Sequence, residues 1–347
     1  CTRLGINVNF APTVDVNNEP NNPVIGFRSF GENADNVAHK GLAYALALQN
    51  NGVLPSMKHF PGHGNTVTDS HHALPIVKNS LEEINKIELV PFKYLIDNGV
   101  KGAMVGHLYF PALEPVVNKS SSLSRIIVTD LLKNEMNYDG IIFTDGLEMK
   151  GAYNGTEPDS VCLQAIMAGN DVLLLPLNVE ASIQIIIDAA KNDPEVRNRV
   201  EESCKKILRH KYQLGLSDYK AQSLERLNND LNQNRYFALK QRLYNEAVTM
   251  LLNKKNILPL EKNSEKKIAV VTFGKDNSIS KRLSEKGIKN TAFLLKNDAS
   301  SEEIKRTAKK LKSYDYVVLN IRNTSSYPSK NYGITKSMIS FVSNIPN

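Results

Sequence analysis

The chain has 347 residues, enough for one large domain and part of a second, each with its own core. Hydrophobic residues make up 41% and charged residues 23%, as in ordinary globular proteins, and no stretch approaches the roughly 18 apolar residues of a membrane span. The formal net charge is +7, but the lysines and arginines are scattered and lack interleaved aromatic residues, so we expect no nucleic-acid partner.

The cysteines carry little information. Cys1, Cys162 and Cys204 are too few and too scattered for a disulfide framework or a four-thiolate zinc site. A mature lipoprotein also begins with cysteine, but residues 2–12 run directly into a predicted core strand with no tether. We therefore expect that the chain is truncated at its start.

Short apolar runs alternate with helical stretches along the first part of the chain. The runs predict strands at 5–11, 53–60, 102–108, 140–144 and 171–175, with helical spacing at 36–49, 80–98, 124–136 and 160–168. Runs of this length that are apolar on both faces are typical of parallel strands covered by helices. The predicted fold class is α/β, and a (β/α) TIM-type barrel fits best.

A doubly wound open sheet would show the same periodicity. Such a sheet normally offers a glycine-rich phosphate turn, and neither G-x-G-x-x-G nor G-x-x-x-x-G-K-[ST] occurs in the chain. The barrel is therefore preferred, and no cofactor is expected.

The pattern changes in the second part of the chain. A polar segment rich in Asn and Gln, followed by a further helix, predicts a connector over 217–265 that separates a first domain, 1–216, from a second α/β unit, 266–347. The second unit opens with an apolar strand at 268–273 and stops without finishing a sheet.

Four of the seven histidines fall in one segment, 58–72, which reads KHFPGHGNTVTDSHH. Imidazole and carboxylate groups bind zinc well, but Gly and Pro residues break this segment into a loop and its spacing matches no zinc motif. We therefore expect no metal. The histidines could also simply cap or pack the loop.

Asp69 and His71 are two residues apart, so in an extended loop both side chains project to the same side and could form a hydrogen bond. A carboxylate beside an imidazole fixes its tautomer and favours its protonated form. Such a pair suits a general acid that protonates a leaving oxygen and later takes a proton from water.

Asp145 ends the predicted strand at 140–144 and precedes a permissive glycine. In α/β barrels the reacting groups lie at the C-terminal ends of strands, where a carboxylate can attack an anomeric carbon. An aspartate in this position is as often the N-cap of a helix, so this residue alone leaves both interpretations open.

These motifs together resemble the β-N-acetylglucosaminidases of glycoside hydrolase family 3. The matching segments are K-H-F-P-G-H-G-x4-D-S-H from Lys58, FAPTVDV at 10–16, IGFRSFG at 25–31 and IFTD at 142–145. The resemblance covers about residues 3–215, with weaker support at 250–260, the entry to that family's α/β sandwich domain. The D-S-H signature is specific, because the related β-glucosidases use a glutamate from the second domain instead.

The resemblance implies a role for each catalytic candidate. Asp145 would form a covalent glycosyl-enzyme, His71 would protonate the leaving oxygen and then activate water, and Asp69 would orient His71. This keeps the double-displacement logic of glycosidases, so the β configuration would be retained.

The resemblance also implies sugar-binding side chains at Arg28, Lys58 and His59. Two structural alternatives stay open: Arg28 could pair with Asp15, and His59 could be a satisfied histidine at a strand end. His107 closes the next predicted strand and could line the same pocket.

The chain departs from the family in one respect. The family's barrel has two earlier strands, and the second is followed by an acidic loop of the D-x-E-G-G-R type that has no counterpart here. We therefore expect a fragment truncated at both ends, a barrel lacking its first strands followed by the start of the sandwich domain.

The activity that the resemblance implies is exo-hydrolysis of terminal β-linked N-acetylglucosamine, from peptidoglycan-derived fragments or related amino-sugar oligosaccharides. A phosphorylase is the alternative enzyme, because a histidine acid/base is compatible with phosphate as the acceptor. A catalytically silent sugar-binding module is the alternative outside enzymes. Family analogy places the protein in the periplasm or the cell envelope.

Overall fold

The computed structural model describes residues 1–153, 157–262, 265–322 and 324–345. The chain divides into two compact units, Cys1–Leu231 and Asn232–Asn347. This boundary lies inside the segment 217–265 for which the sequence predicts a connector.

The first unit is built on parallel strands, in agreement with the predicted α/β class. They are β1 (Val8–Asn9), β2 (Leu54–Pro55), β3 (Met57–Phe60), β4 (Gly102–Val105), β5 (Ile141–Gly146) and β6 (Val172–Leu174). Strands β1 and β2 form one parallel pair, and β3-β4-β5-β6 form a four-stranded sheet in chain order. Each of the five predicted apolar runs contains a strand, and the run at 53–60 supplies two.

Helical segments lie between successive strands, except between β2 and β3, which Ser56 alone separates. Those of the first unit are Ala34–Gln49, Leu81–Lys86, Leu89–Asp97, Lys150–Tyr153, Pro158–Ala168, Val179–Asn192, Pro194–Gln213 and Leu227–Leu231, with a π-helical segment at Ile126–Glu135 and short 3-10 turns at Thr2–Leu4, Gly26–Arg28, Ser121–Leu123 and Leu216–Asp218.

The single helical stretch expected at 80–98 is two helices. Ser80 caps the first of them in a reciprocal capping box with Glu83. Pro91 lies in the first turn of the second helix and has no N–H to donate to the carbonyl of Ile87, so one continuous helix cannot form across this point.

Both faces of the four-stranded sheet are buried. Ala103 and Ile142 pack in the larger core cluster with the side chains of the covering helices. Their strand neighbours Met104 and Phe143 pack in a separate cluster on the opposite face, where Phe10 stands edge-on to Phe143 with ring centroids 5.2 Å apart. Burial on both faces explains why the strands read as continuous apolar runs rather than as alternating ones.

An ionic cluster joins the helix Pro194–Gln213 to the edge of the sheet. The buried Asp171, just before β6, accepts hydrogen bonds from Arg199 Nη2 at 2.7 Å, Ser203 Oγ at 2.8 Å and Lys206 Nζ at 2.9 Å. It also accepts one from the backbone N–H of Ile142 at 3.0 Å. The carboxylate therefore satisfies two cations and the strand backbone together.

We expect Asp171→Ala to destabilise the protein by about 3–5 kcal/mol, because it leaves the two cations partly buried without their anion. Burial raises the pKa of Asp171, but Lys206, Arg199 and Lys133 outweigh it and hold this pKa below its usual range. The stabilisation is therefore present above the unfolded pKa of about 3.9 and is lost as the pH falls through the lower folded value.

Urea denaturation of the wild type and of Asp171→Ala across the acid range checks this prediction. Asp188→Ala is the matched control, because Asp188 pairs with Lys191 on an exposed helix surface and its loss should change little. Equal effects of the two substitutions would contradict a structural role for the Asp171 cluster.

The second unit has a parallel sheet of its own. Its strands are β7 (Ile268–Phe273), β8 (Thr291–Leu295) and β9 (Tyr316–Ile321), in the order β8-β7-β9, and its helices are Asn234–Ala247, Ser278–Glu285, Ser301–Leu311 and Lys336–Asn344, with 3-10 turns at Lys254–Asn256 and Pro328–Gly333. Every residue of the central strand β7 is buried. Phe273 contacts Phe341 edge-on, with ring centroids 5.5 Å apart.

Across the described residues, none of the helices combines the length and apolarity that a bilayer crossing needs.

Candidate active site

The site is organised around the buried carboxylate of Asp15. It accepts hydrogen bonds from the backbone N–H of His63 at 2.7 Å, the backbone N–H of His59 at 3.1 Å and His59 Nδ1 at 2.8 Å. Burial raises the pKa of Asp15, but the two histidines and these hydrogen bonds outweigh it and keep this pKa below its usual value. An ionised Asp15 therefore fixes the segment that follows β3.

The orientation of His59 follows from its partners. Asp15 can only accept, so Nδ1 of His59 donates to it, and Nε2 faces Arg28 Nη2 at 3.4 Å. An arginine can only donate, so Nε2 is the acceptor in this pair. The same Nε2 lies 4.0 Å from Oδ2 of Asp145, so His59 stands between the buried Asp15 and the carboxylate at the end of β5.

Two cationic side chains, those of Arg28 and Lys58, lie near His59. Arg28 is exposed at the end of the 3-10 turn Gly26–Arg28, where Nη1 donates to the carbonyl of Val24. Lys58 is partly buried in β3. Burial and the nearby Arg28 lower the pKa of Lys58, and they outweigh the charges of Asp145 and Asp15, which raise it. The pKa of Lys58 therefore lies below its usual value. The sequence left open a pairing of Arg28 with Asp15, and in the structure Arg28 faces His59.

Asp145 is the fifth residue of β5 and has 22% of its side chain exposed. Its Oδ1 accepts the N–H of Gly146 at 2.9 Å, and Oδ2 is turned toward His59. Burial raises the pKa of Asp145, but His59, His107, the Gly146 N–H and Lys58 outweigh it, so this pKa lies below its usual value. The carboxylate is ionised at neutral pH and reachable by a ligand, as a nucleophile must be.

His107 is completely buried beneath the same turn. Its Nε2 donates to the carbonyl of Gly146 at 2.9 Å, so Nδ1 accepts from the hydroxyl of Ser122 at 2.8 Å. Burial lowers the pKa of His107, which is consistent with a neutral ring holding these two contacts. Both ring nitrogens are engaged with the protein, and His107 supports the turn that carries Asp145.

Asp69 and His71 form the hydrogen bond that their spacing predicts, with Nδ1 of His71 2.7 Å from Oδ1 of Asp69. The same oxygen accepts the backbone N–H of His71 at 2.9 Å. Burial raises the pKa of Asp69, but these two hydrogen bonds and the charge of His71 outweigh it, and the pKa is lowered. Nδ1 therefore donates to Asp69, and Nε2 is the nitrogen that can exchange a proton with a ligand.

The Asp69–His71 pair lies on an exposed loop, with 31% and 60% of the two side chains accessible. The other candidates lie elsewhere in the chain: Arg28 ends the 3-10 turn Gly26–Arg28, Lys58 and His59 belong to β3, and Asp145 belongs to β5. The sequence candidates therefore fall on two parts of the fold, the strands β3 and β5 with the turn at Arg28, and the loop after β3.

Three of the four clustered histidines have different side-chain partners. His59 contacts Asp15, His63 contacts Thr66 and Ser70, and His71 contacts Asp69. Within the ranges that the structure describes, no three His, Cys, Asp or Glu side chains are arranged to hold a metal ion.

Comparison with known proteins gives the family. The model described as "Glycosyl hydrolase family 3 N terminal domain" matches residues 1–210. Beta-hexosaminidase A of Pseudoalteromonas piscicida is 36% identical over 281 residues, 76% of this chain and 46% of that protein. Beta-hexosaminidase LpqI of Mycobacterium tuberculosis is 38% identical over 178 residues, 50% of this chain and 45% of that protein. The chain thus spans about half the length of these curated relatives.

A solved structure agrees with this result. The glycoside hydrolase family 3 β-N-acetylglucosaminidase from Paenibacillus sp. str. FPU-7 superposes with a TM-score of 0.74 at 28% identity, over 98% of this chain and 70% of that chain. Since the family model matches well over half of the 347 residues, the chain belongs to glycosyl hydrolase family 3.

Proposed function

We propose that the protein is a retaining exo-glycosidase that removes terminal β-linked N-acetylglucosamine through a covalent glycosyl-enzyme. The observation that carries the proposal is Asp145, an ionised and partly exposed carboxylate at the end of β5, 4.0 Å from His59 and within the field of Lys58. The names of the relatives, which are β-hexosaminidases, support the choice of sugar.

In the first step, Oδ2 of Asp145 attacks the anomeric carbon and forms an ester bond to the sugar. The bond from that carbon to the leaving oxygen breaks, and Nε2 of His71 gives its proton to that oxygen. In the second step, Nε2 takes a proton from water, the water oxygen attacks the anomeric carbon, and Asp145 leaves as a carboxylate. Two inversions at one carbon restore the β configuration.

Asp69 orients His71 by accepting from Nδ1, and it stabilises the imidazolium through a hydrogen bond of 2.7 Å. A fixed carboxylate partner keeps the proton-carrying nitrogen in one position during both steps.

Arg28, Lys58 and His59 bind the sugar in this proposal. Arg28 and Lys58 offer donors beside Asp145 for hydroxyl groups and for the carbonyl of a 2-acetamido group, and Nε2 of His59 can accept from a hydroxyl group. His107 contributes indirectly, because its ring holds the Gly146 carbonyl and thereby the turn next to the nucleophile.

The fold that accompanies this function is a (β/α) barrel of the TIM type within 1–216, a connector over 217–265 and an α/β sandwich domain that begins at 266. Burial of both faces of the strands and the position of the candidate groups at their carboxyl ends support the barrel. The two compact units with separate parallel sheets support the division.

We expect the full-length protein to release N-acetylglucosamine from a nitrophenyl N-acetyl-β-glucosaminide, with the β anomer formed first in a proton NMR time course. An α anomer as first product would contradict the double displacement. Repeating the reaction with inorganic phosphate distinguishes the phosphorylase, which would form the sugar 1-phosphate. Sugar binding by calorimetry without turnover would favour the silent binding module instead.

A further inference from the structure

Ser70 is buried in the middle of an exposed loop. Only 2% of Ser70 is accessible, although its neighbours Asp69 and His71 have 31% and 60% of their side chains accessible. The two neighbours hydrogen-bond to each other, so the residue between them is the point at which this part of the loop is attached to the body of the protein.

The side chain of Ser70 is attached to His63, whose tautomer can be worked out. Thr66 Oγ1 donates its one hydrogen to the carbonyl of His63 at 3.1 Å, so Nδ1 of His63 must donate to Thr66 at 2.7 Å. Burial and the nearby His59 lower the pKa of His63 to about 4, and the ring is neutral at neutral pH. Nε2 therefore accepts the hydroxyl proton of Ser70, at 3.3 Å.

His63 is itself held rigidly. Its backbone N–H donates to the buried Asp15 at 2.7 Å, and its carbonyl accepts from Asn22 Nδ2 at 2.8 Å. Because Asp15 also fixes His59, the hydroxyl of Ser70 is connected through His63 to the histidine that faces Asp145.

The backbone of Ser70 makes a second attachment. Its carbonyl accepts the N–H of Gly151 at 3.1 Å, in the helix Lys150–Tyr153 that follows β5 and Asp145. A Cβ at Gly151 would lie 3.0 Å from this carbonyl oxygen and 3.2 Å from Cβ of His107, so the glycine allows the close approach. Ser70 is thus held between the segment after β3 and the segment after β5.

We propose that Ser70, together with His63, is the positioning residue that sets the distance between the acid/base His71 and the nucleophile Asp145. The inference rests on the proposed function. With Ser70 fixed on both sides, the adjacent His71 presents Nε2 from a defined point of the loop, although its own side chain is mostly exposed. A displacement of about 1 Å in a catalytic group can lower a rate by about a hundredfold.

Ser70→Ala removes the hydroxyl and keeps the backbone attachment. We expect kcat/KM for an alkyl N-acetyl-β-glucosaminide, which needs protonation of its leaving oxygen, to fall by about 10- to 100-fold. For the dinitrophenyl glycoside, whose leaving group needs little protonation, the fall should stay below about threefold. A role in folding alone would lower both values together.

Thr68→Ala is the matched control, since it removes a hydroxyl from the same loop at a partly exposed position and should leave both values unchanged. At His63, glutamine can place a carbonyl oxygen where Nε2 lies, whereas asparagine is too short to reach Ser70. We expect His63→Gln to keep more alkyl-glycoside activity than His63→Asn, with both variants folded by circular dichroism.

His71→Ala, measured beside these variants, separates the two hypotheses. Suppose that the loss of kcat/KM in His71→Ala depends on the leaving group, while Ser70→Ala lowers kcat/KM equally for both substrates or for neither. The positioning role of Ser70 is then overturned, and the assignment of His71 as the acid stands. If the loss of kcat/KM in His71→Ala does not depend on the leaving group, His71 is not the acid, and the positioning role of Ser70 is overturned with it.

Discussion

Asp145→Ala is expected to lower turnover by more than about a thousandfold, because no glycosyl-enzyme can form without the carboxylate. The variant should stay folded, since Asp145 is partly exposed and Oδ1 accepts its hydrogen bond from the neighbouring Gly146 N–H. The pKa of Asp145 lies below its usual value, so in the wild type the nucleophile stays ionised down to acidic pH.

Three measurements check this assignment. A fluorosugar that traps the intermediate should label Asp145, as read by peptide mass spectrometry. Azide should restore turnover of the alanine variant on an activated glycoside and give the α-glycosyl azide, because a small anion then attacks in place of the carboxylate. Asp139→Ala is the control, since Asp139 lies just before the same strand at its opposite end and pairs with Lys101. A label on another carboxylate would show that the assignment is wrong.

Local pattern was sufficient to predict most of the sheet. The five apolar runs each contain a strand because parallel strands buried on both faces need apolar residues at every position. The run at 5–11 yields only the two-residue strand β1, although the carbonyls of Ala11 and Pro12 still accept the N–H groups of Ser56 and Lys58. Pro12 has no N–H to donate in return. The helix break at Pro91 was available from the sequence, because proline removes the hydrogen bond to the preceding turn.

The candidate site was predictable only where its parts are close in sequence. Asp69 and His71 are two residues apart, and their hydrogen bond follows from local geometry. Asp15 and His59 are 44 residues apart, and nothing in their spacing indicates that the carboxylate orients the imidazole. The motif FAPTVDV contains Asp15, and an acid in an otherwise apolar stretch is a signal that could have indicated a residue needing a partner.

The burial of individual polar side chains also could not be predicted from the sequence. His107 lies inside the predicted run 102–108 but two residues beyond the end of β4, and its two ring contacts depend on Ser122 and on the Gly146 carbonyl, which come from two later segments. Ser70 stands between two exposed polar residues in a loop without periodicity, so its burial against His63 depends on tertiary contacts alone.

The second large effect is expected for His71→Ala. On alkyl glycosides, kcat/KM should fall by about 10²- to 10⁴-fold, because the leaving oxygen must depart without a proton. On the dinitrophenyl glycoside, kcat/KM should change little, since this constant reports the first step and that leaving group is stable as an anion. Asp69→Ala should show the same trend more mildly, because the imidazole remains and loses only its orienting partner.

The second step separates an acid/base from a binding residue. Without His71 no base activates water, so the glycosyl-enzyme formed from the dinitrophenyl substrate should accumulate and give a burst followed by slow turnover. Azide needs no base, so it should raise the steady-state rate and yield the β-glycosyl azide. His72→Ala, at the adjacent exposed position, serves as the control and should behave as the wild type. If His71→Ala lowers kcat/KM equally for both substrates, with no burst and no response to azide, His71 binds the sugar or stabilises the loop and is not the proton donor.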